Sequence, residues 1–327
     1  MRICVYGPGA IGGHLAARLA KGGAEVSVVA RGAQLEAIRA RGLAVRAADG
    51  VIECRPRASD DPAELGPQDA VVVTTKVPAL PSVAARIAPL LGADTPVAFV
   101  TNGIPWWYFD WHGGPREGDR VPEADPGDVV RRAVGVERAI GGVIYSACSV
   151  AEPGVVEVTS RTSKLILGEP DGARSPRAVA LAAAFKAGGL PCSVSADIRT
   201  DVWAKLLNNL SNGPVCLLTR RHMRDTFADP AIRAAAVRVV EEGMAVAAAL
   251  GRPVPGSAEE RIALSADLPH KPSILQDLEA GRPMEVEALF MAPLRLAREA
   301  GVPTPTLSLL VALAAQAAEA AGLYKRV

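Results

Sequence analysis

The chain has 327 residues, 49% hydrophobic and 22% charged, with 36 Lys and Arg against 35 Asp and Glu. This length predicts two domains. The balanced charge excludes a nucleic-acid partner, and no apolar run reaches the about 20 residues that a membrane span needs. The start of the chain does not have the pattern of a signal peptide. Its five scattered cysteines form no CxxC pair, which indicates reduced thiols in a cytoplasmic protein and no metal site.

The first part of the chain alternates short β-branched runs with Ala-rich helical stretches, which is typical of a parallel sheet covered on both faces. The predicted strands are 2–6, 25–30, 42–47, 51–55, 70–75, 96–101, 138–148, 155–159 and 164–167. The predicted helices are 11–22, 33–41, 80–91 and 176–187. These elements predict an α/β first domain with a doubly wound sheet.

An aromatic segment, residues 106–111, interrupts this alternation, and a Gly-, Pro- and Asp-rich stretch follows it as far as residue 132. Five of the six residues of the aromatic segment are Trp, Tyr or Phe. Long excursions of this kind are either functional or serve to cover the sheet. The sequence leaves both alternatives open.

Helical periodicity dominates from about Asp197 onward. It predicts helices at 200–210, 230–250, 257–266, 273–280, 283–300 and 304–324. We therefore expect a first domain at residues 1–196 and an all-α second domain at residues 197–327. The Ala-rich helices 230–250 and 304–324 could pack within that domain or against a second subunit, which leaves a homodimer open.

A glycine-rich turn, Gly7-Pro8-Gly9-Ala10-Ile11-Gly12, directly follows the first predicted strand and opens the first helix. In this GxGxxG spacing, Gly7 permits a tight turn, Gly9 lets the backbone approach a pyrophosphate, and Gly12 lets the helix pack against the strand. The helix N-terminus then offers free N–H groups to the phosphates. Its position after a strand favours dinucleotide binding over an ordinary glycine turn.

Arg31 stands at the tip of the second predicted strand, where NAD-binding folds usually carry an acidic residue for the ribose hydroxyls. A guanidinium can bind a 2′-phosphate, which a carboxylate would repel. The sequence therefore predicts NADPH as the cofactor, with a solvated surface arginine as the alternative.

Two more polar residues, Lys76 and Asn102, end predicted strands, and open α/β sheets bind their ligands at those ends. Lys76 could neutralise cofactor phosphate or could be an exposed loop charge. Asn102 could orient nicotinamide or substrate, or it could simply form a turn before Gly103.

One helix of the second domain carries a row of polar side chains. At 100° per residue, Asn209 lies about 40° and Asn212 about 20° from Lys205 around the helix axis. An ammonium and two amides on one face suit a hydrogen-bonding pocket, although a solvated helix face remains the alternative.

A later stretch offers a hydroxyl and a carboxylate, Ser273 and Glu285. Ser273 follows a proline at a predicted helix start, so it could act only as an N-cap. Glu285 follows Pro283 and could be only an acid favoured by the helix dipole.

Taken together, the motifs GPGAIGG, VVAR, TTK, TNG, DIRTDVWAKLLNN and KPSILQDLEAGRPMEVEAL resemble those of the ketopantoate reductase family over nearly the whole chain. The resemblance implies an N-terminal Rossmann-like domain, an all-helical C-terminal domain and an active site in the cleft between them. It also implies NADPH-dependent reduction of 2-dehydropantoate to pantoate, as in pantothenate and coenzyme A biosynthesis.

The same resemblance implies roles for single residues. Lys205 looks like the family's catalytic lysine and Glu285 like its glutamate near the reacting centre. The positions that match cofactor or substrate contacts are Lys76, Asn102, Ala147, Asn209 and Ser273.

The sequence departs from the family pattern in its second domain. Gly213 stands where many members carry a second asparagine, and Asn212 could replace that residue. Leu289-Phe290-Met291 places bulk where a compact helix contact is expected, and with the aromatic segment it could reshape the substrate pocket. The alternatives are therefore reduction of another branched 2-oxo acid, action on a 3-hydroxy or sugar acid, or a non-catalytic NADP-sensing module.

Overall fold

The computed structural model describes residues 1–326 and divides them into two compact units. The first unit contains Met1–Thr101 and Trp106–Ile198. The second contains Asn102–Pro105 and the chain from Arg199 onward. Asn102–Pro105 thus groups with residues that follow it by about a hundred positions, and no single chain position separates the two units.

The first unit is built on twelve strands. They are β1 Arg2–Tyr6, β2 Glu25–Val29, β3 Leu43–Ala47, β4 Gly50–Cys54, β5 Arg57–Ser59, β6 Ala70–Val73, β7 Val97–Phe99, β8 Ala139–Tyr145, β9 Cys148–Glu152, β10 Val155–Val158, β11 Lys164–Gly168 and β12 Cys192–Val194. Most lie close to the predicted runs, because β-branched residues at buried positions fit a pleated sheet.

Eight of these strands form the main sheet, in the order β12-β11-β8-β7-β6-β1-β2-β5. The pairs from β5 to β8 are parallel, and β11 runs antiparallel to β8. The order β5-β2-β1-β6-β7-β8 is that of a dinucleotide-binding sheet, in which the order of strand addition reverses beside β1 while the strands stay parallel. This sheet confirms the predicted Rossmann-like fold.

The strands β3 and β4 lie outside the main sheet. They form an antiparallel hairpin in a separate four-stranded sheet, of order β4-β3-β10-β9. Only Ala48 and Asp49 connect β3 to β4, and a parallel pair would need a crossover of a dozen or more residues. The short turn therefore makes β3 and β4 pair with each other as an antiparallel hairpin.

Six helices belong to the first unit: α1 Ala10–Lys21, α2 Gly32–Arg41, α3 Pro62–Leu65, α4 Leu80–Ala84, α5 Val129–Val134 and α6 Pro176–Ala187. The prediction of one helix over 80–91 is wrong, since α4 ends at Ala84 and only a short 3₁₀ turn, Ala88–Leu90, follows. Pro89 explains the break, because it has no N–H to offer the carbonyl of Ala85, four residues earlier, and its ring would clash with that carbonyl in a continued α-helix.

Helices make up the regular structure from residue 198 onward. They are α7 Ile198–Thr219, α8 Met223–Phe227, α9 Pro230–Ala249, α10 Ala258–Ala266, α11 Ser273–Glu279, α12 Ala292–Glu299 and α13 Pro305–Ala320. This confirms the all-α class predicted for the C-terminal part. Within residues 1–326, no helix has the length and apolar character needed to cross a bilayer.

Helix α7 is longer than predicted. Its pattern suggests an end at Leu210, yet the helix continues through Gly213 and Pro214 to Thr219. A proline inside a helix costs about 3 kcal/mol. Burial of Val215 and Cys216 beyond it compensates, which is a tertiary effect that local propensity does not show.

The aromatic segment forms part of the core of the first unit. The first four of its aromatic side chains are at most 2% exposed. Next to them, Arg131 makes a bidentate ion pair with Asp110 at 2.6 Å and lies over the ring of Trp106. Trp106 also packs edge-on against Phe99 of β7, with ring centroids 5.5 Å apart. The segment therefore covers the sheet, which is one of the two alternatives that the sequence left open.

Candidate active site

The glycine turn after β1 has a conformation that depends on its glycines. Gly7 has φ +92°, and a Cβ on it would lie 2.6 Å from the Thr75 side chain. A Cβ on Gly12 would lie 2.3 Å from the carbonyl oxygen of Gly7. A Cβ on Gly9, by contrast, would meet nothing within 4 Å. The turn is thus closed on its protein side and open at Gly9, the glycine predicted to approach a pyrophosphate, and this arrangement fits a dinucleotide.

Two side chains that the sequence analysis did not single out hold this turn. Thr74 Oγ1 donates to the Gly7 carbonyl at 2.8 Å, and Gln34 Nε2 donates to the Pro8 carbonyl at 2.7 Å. Gln34 Oε1 also accepts the backbone N–H of Gly154 at 3.0 Å. The sequence signal for Gln34 was its position, since it is a polar residue three places after Arg31 on the first turn of α2.

The parallel pairing brings several predicted cofactor residues to one edge of the sheet. Arg31 follows β2 and is exposed, Lys76 follows β6 and is half-buried, and Ala147 follows β8. The backbone N–H of Ala147 donates to Ser160 Oγ at 3.2 Å. Because β1, β2, β6 and β8 point the same way, these residues share the edge that carries the glycine turn. Their roles toward a cofactor stay predictions.

The second unit contains a hydrogen-bonded row of three predicted site residues. Lys205 Nζ donates to Asn102 Oδ1 at 2.9 Å. Asn102 Nδ2 donates to Glu285 Oε2 at 3.2 Å. The two residues predicted as catalytic are therefore joined through Asn102, which the sequence analysis assigned only to ligand binding or to a turn.

An amide is well suited to the middle of this row. An ammonium can only donate hydrogen bonds, and an ionised carboxylate can only accept them. An amide offers an oxygen to Lys205 and a nitrogen to Glu285. An aspartate would lack the donor, and an alanine would lack both groups.

The backbone after Asn102 explains how this side chain is placed. Gly103 has φ +83°, and a Cβ on it would lie 2.3 Å from the carbonyl oxygen of Ala288. The N–H of Ile104 donates to the same oxygen at 3.2 Å. Ala288 belongs to a π-helical turn, Glu287–Met291, and such turns frequently mark functional sites. The close contact at Gly103 therefore holds Asn102 beside Glu285.

The surroundings of Lys205 lower the pKa of its ammonium toward neutral pH. Desolvation of its ammonium lowers the pKa to about 8, and the charge of Glu285 partly opposes this shift. Glu285 itself is only 6% exposed. Below about pH 8 the lysine is mostly charged, and its pKa is close enough to neutrality for efficient proton transfer.

The three other residues predicted to bind substrate differ in exposure. Asn209 on α7 is half-buried, whereas Asn212 is buried and its Oδ1 accepts from Ser211 Oγ at 3.3 Å. Ser273 is exposed and is the first residue of α11, with Pro272 as the N-cap, so its hydroxyl does not cap the helix. It therefore has no capping role, and its substrate contact stays a prediction.

The two departures from the family pattern lie against each other. A Cβ on Gly213 would come within 3.0 Å of the Phe290 ring, and Phe290 is fully buried. The absence of a side chain at Gly213 therefore makes room for the aromatic ring. The bulk at Phe290 is accommodated within the helical core.

Comparison with known proteins agrees with this arrangement. The model of the ketopantoate reductase PanE/ApbA family matches residues 3–106, and that of its C-terminal domain matches residues 197–318. A 2-dehydropantoate 2-reductase of Mesorhizobium japonicum is 43% identical over 327 residues, which cover 99% of this chain and 100% of the relative.

Solved structures give the same result. A structure from Ralstonia solanacearum MolK2 has a TM-score of 0.92 and 40% identity, with 99% of each chain covered. The 2-dehydropantoate 2-reductase of Methylococcus capsulatus has a TM-score of 0.82 and 28% identity, covering 100% of this chain and 99% of that one. The chain therefore belongs to the ketopantoate reductase family of oxidoreductases.

Proposed function

We propose that this protein uses NADPH to reduce 2-dehydropantoate to pantoate, the reaction that provides pantoate for pantothenate and coenzyme A biosynthesis. The observation that carries the proposal is the hydrogen-bonded row of Lys205, Asn102 and Glu285. The names of the relatives support the substrate. The first unit binds the cofactor, and the second activates the substrate carbonyl.

The chemistry follows from the needs of a 2-oxo acid. The bound cofactor supplies a hydride to C2 of the substrate. Negative charge then develops on the carbonyl oxygen, and an ammonium at hydrogen-bond distance stabilises it and donates the proton that completes the alcohol. Lys205 fills that role and regains a proton from solvent, while Asn102 and Glu285 keep its ammonium in place.

The remaining polar groups bind the substrate's own hydroxyl and carboxylate. The side chains of Asn209 and Asn212 offer amides from the helix that carries Lys205, and Ser273 offers an exposed hydroxyl. Directional bonds of this kind orient a small ligand and give specificity in a largely apolar pocket.

Arg31 supports NADPH rather than NADH as the cofactor. Its guanidinium is exposed at the tip of β2 and makes no hydrogen bond or ion pair with the other residues among 1–326. A phosphate on the ribose would give it a doubly hydrogen-bonded, charge-assisted partner.

Replacing Arg31 tests this cofactor preference. We expect Arg31→Ala to raise the KM for NADPH about 10- to 100-fold, because a charged hydrogen bond of about 1.5–3 kcal/mol is lost. The KM for NADH should change little. Arg233→Ala, at an exposed arginine on α9, is the matched control and should leave both values unchanged. Equal losses for the two cofactors would refute the assignment.

The proposed reaction is tested by following NADPH oxidation with 2-dehydropantoate beside other 2-oxo acids. The expected result is the highest kcat/KM for 2-dehydropantoate. NADPH binding without oxidation of NADPH by any member of the panel would instead favour a sensing module.

Gly213 favours a second class of substrate, the apolar branched 2-oxo acids, because it offers no amide at the position where many members of the family carry an asparagine. A site built to hydrogen-bond a substrate hydroxyl rejects an analogue that lacks it by a factor of about 10⁴. Trimethylpyruvate has the branched carbon of 2-dehydropantoate but no hydroxyl. If Asn212 replaces the missing asparagine, trimethylpyruvate should be a poor substrate. Comparable kcat/KM values would identify the protein as a reductase of apolar branched 2-oxo acids.

A further inference from the structure

The chain end that follows α13 makes contacts on two sides. We call residues 323–326 the C-terminal strap. The N–H of Leu323 donates to the carbonyl of Ala318 on α13 at 3.1 Å, while its own carbonyl accepts the N–H of Met284 at 3.0 Å. One residue of the strap thus connects α13 to the stretch that leads into Glu285.

The second contact of the strap is made by a side chain. The hydroxyl of Tyr324 donates to Glu287 Oε1, and burial together with the Glu287 carboxylate raises the pKa of Tyr324. At the far end of the strap, the exposed Arg326 lies 3.6 Å from Glu319 on α13, a surface ion pair that adds little stability. Tyr324 is therefore held by its own hydroxyl bond to Glu287 and by the backbone bonds of the preceding Leu323.

These two contacts bracket Glu285. Met284 immediately precedes it, and Glu287 follows two positions later. Residues 282–285 have no regular secondary structure, so no helical hydrogen bonds fix Met284 on the N-terminal side of Glu285. The Met284 N–H finds its partner in the strap instead.

We propose that the C-terminal strap positions Glu285 beside Asn102 and Lys205, with Tyr324 as the positioning residue. The kinetic part of this inference rests on the proposed function, whereas the geometric part does not. Among the described residues, the hydroxyl of Tyr324 bonds to Glu287 and not to Lys205, Asn102 or Glu285. It acts through Glu287 and the backbone that both glutamates share.

Displacement of Glu285 has a predictable electrostatic consequence. Its carboxylate raises the pKa of Lys205 against the effect of burial. If Glu285 moves away and Lys205 stays buried, the pKa of Lys205 must fall. General loosening of the unit would expose the ammonium to water and would move the pKa up toward its ordinary value.

The two cases are distinguished by competitive acetylation of the whole chain with acetic anhydride across a range of pH, with Lys205 followed by mass spectrometry. Only the neutral amine reacts. For Tyr324→Phe we expect the pH midpoint of Lys205 acetylation to be lower by about half a pH unit, so that the neutral amine is about threefold more abundant at neutral pH. We also expect kcat to fall about three- to tenfold, with unchanged NADPH affinity.

Two other variants complete the test. Lys325→Ala changes an exposed neighbour of Tyr324 and should behave like the wild type in both measurements. Glu287→Ala removes the acceptor and should reproduce the effect of Tyr324→Phe, and the double variant should be no worse than either single variant.

An unchanged or higher pH midpoint for Lys205 acetylation in Tyr324→Phe would overturn the inference, even if the rate of acetylation rises. If the pH midpoint falls but the wild type oxidises no NADPH with any 2-oxo acid, the strap positions Glu285 as proposed and the proposed function fails. The acetylation result therefore decides the inference whether or not the enzyme reduces 2-dehydropantoate.

Discussion

Lys205→Ala is expected to lower kcat with 2-dehydropantoate by about a hundred- to ten-thousand-fold, the usual contribution of a positioned proton donor. The variant removes the ammonium that donates a hydrogen bond to Asn102 Oδ1, and it leaves the glycine turn of the first unit unchanged. NADPH affinity should therefore stay within about twofold of the wild-type value. Stopped-flow or steady-state NADPH oxidation, with a fluorescence titration for binding, measures both quantities.

A matched lysine and a chemical rescue make this test specific. Lys186→Ala removes an exposed lysine on α6 and should keep full turnover. Methylammonium added to Lys205→Ala should restore part of the lost rate, because a free amine can enter the vacated space and donate the proton. Full activity of Lys205→Ala without added amine would remove Lys205 from the mechanism.

Asn102→Asp is expected to lower kcat/KM at neutral pH about a hundredfold. The new carboxylate would face Glu285 Oε2 at the position where the amide nitrogen now donates across 3.2 Å, and like charges at this distance repel strongly. The added negative charge beside Lys205 also raises the pKa of the lysine above its present value of about 8.

The pH profile separates these effects. In the wild type, kcat/KM for reduction should fall above about pH 8, as Lys205 loses the proton that it must donate. In Asn102→Asp this fall should begin at higher pH, although the maximum rate is lower. Asn102→Ala loses the bridge without adding charge, so its fall should not move upward. A profile of Asn102→Asp that superimposes on that of the wild type would contradict the role of Asn102.

The parts of this protein that local sequence predicts are those whose cause lies within a few residues. The glycine turn is one such part, since Gly7 and Gly12 serve contacts inside a single strand–turn–helix unit. The polar face of Lys205, Asn209 and Asn212 is another, because helical geometry alone places these residues together. Both were visible as spacing in the chain.

Other parts depend on what lies far away in the chain. Asn102 is 103 positions from Lys205 and 183 from Glu285, so no local spacing reveals that its amide joins them. The extension of α7 through Pro214 also depends on burial of the residues beyond it. A proline by itself predicts a helix end, and only packing against the rest of the unit reverses that preference.

By itself, then, the sequence determined the α/β and all-α classes, the glycine turn and the identity of the polar residues predicted for the site. These features follow from periodicity and from side-chain chemistry. The tertiary structure alone decided that Asn102 belongs with the helices and that Phe290 fits against Gly213. It alone also placed the C-terminal strap against the stretch that carries Glu285. The physical reason is that hydrogen bonds and close packing act over a few ångströms, whatever the separation along the chain.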